Sequence, residues 1–171
     1  MTASGLQDAT TGKYNVLVPP LPLMARYTGY GPSAEIKLGD FGLCAPLATG
    51  GVIQDGMMHG TITYVSPEVL RGQGYGHGVD VWALGVVLFE AVEGSVPFDT
   101  SEDNWECKRF HGLVEGICSK DAAYDAAKWP DSELRRVTQA MLDKNVATRP
   151  SAQELADDPW AQAVQARAAG A

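Results

Sequence analysis

The sequence is poor in cysteine and in basic charge, and it has no long uninterrupted apolar run. Its three cysteines, Cys44, Cys107 and Cys118, are odd in number and form no CxxC pair. That excludes a disulfide framework and suits a reducing compartment. Lys and Arg total 13 against 21 Asp and Glu, a net charge of -8. Nucleic acid and anionic membrane surfaces call for clustered cations, so neither is expected as a partner. The N-terminus, Met-Thr-Ala-Ser-Gly-Leu-Gln-Asp, has neither a basic start nor an apolar core, and is not expected to be a signal peptide. The longest apolar stretch, Val79 to Val92, is broken by Asp80 and Glu90. It falls short of the roughly 20 residues that a bilayer requires. A soluble, cytoplasmic protein is expected.

What the sequence does have is enough apolar material for a core: 45% of 171 residues, the size of one ordinary domain. Residues 1–14 are small and polar. Asn15-Val16-Leu17-Val18 is β-rich, and Glu35-Ile36-Lys37-Leu38 alternates as a strand does. The two runs are expected to pair as a hairpin. Between them, Pro19, Pro20 and Pro22 and a Gly/Pro/Tyr-rich stretch read as a long loop, because proline fixes φ and removes a donor. Residues 39–60 are glycine-rich and aperiodic.

From Val79 the pattern turns helical. Val79 to Glu93 is apolar on nearly every face, the mark of a helix buried all round, and Gly94 suits its C-terminus. Ser101 can cap a second helix to about Val114, and Ser132 a third to Leu142. Ser151-Ala152-Gln153-Glu154 has the form of a capping box and opens a fourth. The Ala-rich tail beyond Trp160 is expected to fray.

Several motifs stand on this frame. Asp40-Phe41-Gly42 follows the second strand. Taken alone it could be an Asp-initiated turn. Gly60-Thr61, Tyr64 and Ser66-Pro67-Glu68 come next, then Asp80, Trp82 and Gly85 as D-x-W-x-x-G inside the buried helix. Leu142, Arg149-Pro150 and Pro159-Trp160 complete the series. In order and spacing these motifs resemble the eukaryotic-type protein kinase family, of the Ser/Thr type, over roughly residues 35–160. The alternating Gly72, Gly74, Gly76 and Gly78 admit no G-x-G-x-x-G and read as a connector.

The resemblance implies a mainly α fold: the large C-terminal lobe of the kinase fold with a residual β-hairpin and no small lobe. It divides the chain into a remnant of the catalytic loop with a hairpin insertion (1–34), the lobe itself (35–160) and a tail (161–171). It implies ATP and Mg²⁺ as cofactors of a complete kinase, bound weakly or not at all by these residues alone. Asp40 would be the metal aspartate, since Mg²⁺ is a hard cation that prefers carboxylate oxygen. Phe41 would be an apolar plug and Gly42 would allow the backbone to reverse. Thr61 and Tyr64 would belong to the loop that docks a protein substrate. Glu68 and Arg149 would form an internal ion pair, and Asp80 would be a scaffold residue.

Upstream of Asp40 the match thins. Asn15-Val16-Leu17-Val18 is similar to the end of the catalytic loop, where Asn15 would hold a second metal. The family places the catalytic Asp five positions before that Asn, whereas Asp8 lies seven before Asn15. With Lys13-Tyr14 as an insertion, Leu6-Gln7-Asp8 stands where H-R-D belongs, and Asp8 would be the base. Otherwise Asp8 is a solvated residue of a polar terminus. No glycine-rich phosphate loop, strand lysine or partner glutamate can be found in these residues. The expectation is a truncated Ser/Thr kinase domain, inactive alone. The alternative is a kinase-derived pseudoenzyme that binds protein partners.

Overall fold

The computed structural model describes residues 16–17, 26–28, 35–37, 41–47, 51–54, 60–98 and 106–169, with backbone alone for the strands below residue 38 and for 106–109 and 169. The described residues are mainly helical. Four short strands precede the helices: β1 (Val16–Leu17), β2 (Arg26–Thr28), β3 (Glu35–Lys37) and β4 (Ala45–Pro46).

The strand pairing corrects the expected hairpin. β3 pairs antiparallel with β2, with Tyr27 opposite Ile36, while β1 pairs with β4, with Leu17 opposite Ala45. Arg26-Tyr27-Thr28, expected as loop, is a strand. Tyr27 and Thr28 favour β structure, and β2 is nearer in sequence to β3 than β1 is, so pairing them closes fewer residues.

Six helices follow: α1 (Pro67–Leu70), α2 (Gly78–Glu93), α3 (Glu106–Ser119), α4 (Ser132–Met141), α5 (Ala152–Asp157) and α6 (Pro159–Ala169). α2 is the central one. It buries Val79, Val81, Trp82, Ala83, Gly85, Val86 and Phe89, and one edge, at Leu84, reaches solvent. Gly94 ends it at φ 80, where a side chain would strain the backbone, and its N–H donates to the Glu90 carbonyl. Gly85 brings α4 close, since a Cβ there would lie 2.9 Å from Met141 Cβ.

The main core gathers Trp82, Val86 and Phe89 of α2, Leu113 and Ile117 of α3, and Phe98, Trp129 and Leu142 from outside the helices. Ile117 is fully buried, and its packing carries α3 past the expected end at Val114, through Gly116, despite glycine's low helix propensity. A second cluster joins Val81 to Val137 and Met141 of α4, with Leu155 and Trp160 against it.

The helix caps follow local chemistry. α5 opens on the capping box of Ser151 and Glu154. α4 is capped by Asp131, one residue before the expected Ser132; its carboxylate accepts from the backbone N–H of Glu133 and Leu134. The chain beyond Trp160 is helical, against the expectation of fraying. Pro159 occupies the first position of α6, where its missing N–H costs nothing, and the alanines favour the helix.

Candidate functional site

The site is built on the segment that runs from Phe41 to Glu68 and on the helices that anchor its end. Phe41–Leu43 forms a single 3-10 turn. The ring of Phe41 is 52% exposed and joins none of the three apolar clusters of the described residues. The plug expected there is therefore not packed among those residues. Gly42 lies in the same exposed turn. Asp40, Asn15 and Asp8 fall outside the described residues. Among the described residues no group of three His, Cys, Asp or Glu could hold a metal ion.

Downstream the segment is firmly held. Thr61 precedes a second 3-10 turn, Ile62–Tyr64, which is closed by the Tyr64 N–H donating to the Thr61 carbonyl at 3.0 Å. The Tyr64 hydroxyl donates to Glu90 Oε2 on α2 at 2.6 Å. Burial first, then the neighbouring carboxylate, push the phenol up to about 12, so it stays a donor. Sequence reasoning missed Glu90. The signal is in the sequence: a carboxylate interrupting an apolar helix needs a partner, and Glu90 interrupts it as Asp80 does.

Val65, Ser66, Pro67 and Glu68 are all buried. Pro67 opens α1 with the φ that a first helical position requires, and this turns Glu68 inward in the first turn, where the helix dipole favours an anion. Glu68 meets Arg149 in a two-pronged pair, Nη1 to Oε1 at 2.7 Å and Nη2 to Oε2 at 2.9 Å. Arg149 has further partners: Nη1 donates to the Gly78 carbonyl at 2.8 Å and Nε to the Asp143 carbonyl at 3.0 Å. Its guanidinium lies 5.2 Å from the centroid of the Trp82 ring. One arginine thereby ties together the end of the segment, the start of α2 and the turn after α4. Asp80 stands half-buried in the first turn of α2.

The family model for the protein kinase domain matches residues 23–161. The chain belongs to the protein kinase family. It is 37% identical over 130 residues to CBL-interacting protein kinase 10 of Oryza sativa subsp. japonica, covering 74% of this chain and 26% of that protein. It is 39% identical over 129 residues to CBL-interacting serine/threonine-protein kinase 9 of Arabidopsis thaliana, covering 73% and 26%. The serine/threonine-protein kinase zyg-8 of Caenorhabditis elegans is 35% identical over 128 residues, 73% of this chain and 15% of that protein. The chain thus spans about a quarter of the plant relatives it matches. A complete kinase of this family uses ATP and Mg²⁺. Glu68, Asp80, Trp82, Gly85, Glu90 and Arg149 all lie within the matched residues, and Asp8 and Asn15 precede them.

Proposed function

We propose that residues 35–160 form the large lobe of a protein serine/threonine kinase and that residues 60–68 dock the protein substrate whose hydroxyl is phosphorylated. The observation that carries this reading is the double anchoring of the segment: Tyr64 bonded to Glu90 in its middle and Glu68 to Arg149 at its end. A peptide-binding loop must be rigid to position a hydroxyl, and positioning supplies much of the catalysis in phosphoryl transfer. Tyr64 in this loop, where tyrosine kinases typically carry tryptophan, favours Ser/Thr acceptors.

ATP would supply the phosphoryl group, with Asp40 and Asn15 as the proposed metal ligands and Asp8 as the candidate base. The 171 residues contain no glycine-rich phosphate loop (G-x-G-x-x-G) or V-A-I-K strand. Phosphoryl transfer is therefore proposed to need an ATP-binding lobe supplied from outside them.

The test is incorporation of labelled phosphate from ATP into Ser, Thr and Tyr peptides. The chain is assayed alone and in frame with a kinase ATP-binding lobe. Incorporation into Ser and Thr peptides by the joined form, lost on Asp40→Ala, is expected. Tyr64→Phe should raise KM for peptide and leave KM for ATP unchanged. Incorporation into Tyr peptides, or activity that survives Asp40→Ala, overturns the reading. Peptide or protein binding by the joined form without any transfer would favour the pseudoenzyme.

A further inference from the structure

The alternating glycines between α1 and α2 do more than connect the two helices. Ile53, upstream of the docking loop, and Tyr75 form an antiparallel bridge. The Ile53 N–H donates to the Tyr75 carbonyl at 2.9 Å, and the Tyr75 N–H to the Ile53 carbonyl at 3.1 Å. The glycines on either side of Tyr75 allow the two backbones to approach. A Cβ on Gly74 would lie 3.2 Å from Gln54 Cγ and 3.5 Å from Val52 Cβ. One on Gly76 would lie 3.4 Å from the Gly51 carbonyl oxygen and 3.7 Å from Leu47 Cδ2. Leu47, Tyr75 and Val79 are buried as a cluster of their own, and Ile53 and Val69 pack against it. The cluster joins three parts of the fold: the segment through Leu47 and Ile53, α1 through Val69, and the first turn of α2 through Val79.

We propose that residues 51–54, with Leu47, form a strap latched onto the glycine connector, and that the latch steadies α1 and with it the end of the docking loop. Apolar packing and backbone pairing supply the hold. From Leu43 to His59 there is no Lys or Arg, and Thr49 is the one hydroxyl. A charge-driven order–disorder switch adds a phosphate and pairs it with cations, and this stretch offers none. Val69 directly follows Glu68, so α1 is held by packing at one residue and by the ion pair to Arg149 at the next. The docking role of residues 60–68 comes from the proposed function; the latch does not depend on it.

Amide hydrogen exchange of the full chain, followed by NMR, tests the latch without any assay of phosphoryl transfer, so it can fail while the kinase reading stands. The Ile53 and Tyr75 amides are expected to be protected and to open together. Ile53→Asp puts a carboxylate against the cluster. It should lower Tyr75 protection about tenfold or more, the loss expected when a large apolar side chain leaves its packing. Gly76→Leu drives a side chain toward the Gly51 carbonyl and leaves Leu47 and Ile53 in place, and it should lower protection at both Ile53 and Tyr75. Both variants should also lower protection severalfold at the Leu70 amide of α1, which donates to the Ser66 carbonyl at 3.2 Å. The Val86 and Met141 amides should be unaffected. Ile53→Val should change little, and Thr49→Glu should leave Ile53 and Tyr75 as they are. An unprotected Ile53 amide in the wild-type chain overturns the proposal, as does Tyr75 protection that survives both variants. Leu70 protection that holds while that of Tyr75 is lost removes the coupling to α1 and overturns it too. So does a loss at Val86 and Met141 equal to that at Tyr75, which would make the strap part of one cooperative core. Protection at Ile53 and Tyr75 that rises in Thr49→Glu would show a charge-driven latch instead.

Discussion

Glu68 and Arg149, 81 positions apart, meet through two parallel charge-assisted hydrogen bonds, with side chains only 4% and 1% exposed. Such a pair is weak evidence of net stabilisation, because desolvating both charges offsets their attraction. Losing one partner is another matter, since the survivor is then a buried, uncompensated charge.

Glu68→Ala and Arg149→Ala should each destabilise by about 3–5 kcal/mol in urea denaturation. The double substitution should cost clearly less than the two losses added together. Arg149→Lys keeps the charge but cannot bridge both carboxylate oxygens while also reaching the Gly78 and Asp143 carbonyls. It should fall between wild type and Arg149→Ala. Additive single and double variants would show that the two residues act independently.

Gly85→Ala tests the contact between α2 and α4. Alanine would gain up to about 1 kcal/mol of helix propensity. Its Cβ, however, would lie 2.9 Å from Met141 Cβ and 3.1 Å from Leu142 Cδ2. Met141 Cβ is fixed to its backbone, so the helices must separate. A net loss of about 1–3 kcal/mol is expected from overpacking. A gain in melting temperature would show that the helices yield easily.

These residues also mark what the sequence made legible. Gly94, the Ser151–Glu154 box and the apolar run of α2 follow local rules, and the structure agrees with them. The kinase motifs supplied the pairing of Glu68 with Arg149 in advance, which no local rule could do. The Tyr64–Glu90 bond was not seen, because the partners are 26 residues apart and neither motif names the other. Strand pairing failed for a related reason. Runs as short as Val16–Leu17 and Arg26–Thr28 carry almost no period, so partner choice rests on tertiary closure. The expected metal ligands, Asp40 and Asn15, and the base, Asp8, lie outside the described residues.

Glu93, at the end of α2, clips the loop that precedes α4. Its carboxylate accepts from the Asp125 N–H at 2.9 Å and Trp129 Nε1 at 2.6 Å, with Lys128 Nζ at 3.2 Å. These hydrogen bonds hold the carboxyl below its usual range. Glu93→Ala should strip the Asp125 amide of its protection in hydrogen exchange and leave α5 unaffected. Unchanged protection at Asp125 would mean that the loop is held by Trp129 packing alone.

Stability should depend on pH at both ends of the range, with opposite signs. Below about pH 4.5 it should fall as Glu93, Asp131, Asp143, Glu154 and Asp158 take up protons. Each is held below its ordinary value by hydrogen bonds in the folded chain, so the unfolded chain binds protons first. At alkaline pH, Lys144 acts first. Its ammonium is pushed down to about 8 by burial, against 10.5 ordinarily. Between those values the unfolded chain holds a proton that the folded chain has released, so stability should rise with pH. Tyr64 and Tyr124 then act the other way. Burial raises both to about 12 from an ordinary 10.0, so above pH 10 the unfolded chain loses protons that the folded chain keeps. Stability should fall there. The expected profile rises from about pH 8 to a maximum near pH 10, measured as urea midpoint against pH. Lys144→Met should abolish the rise and leave the alkaline fall, while Tyr64→Phe should soften only the fall. A midpoint that declines steadily from pH 7 in the wild-type chain would show that Lys144 remains charged and hydrated.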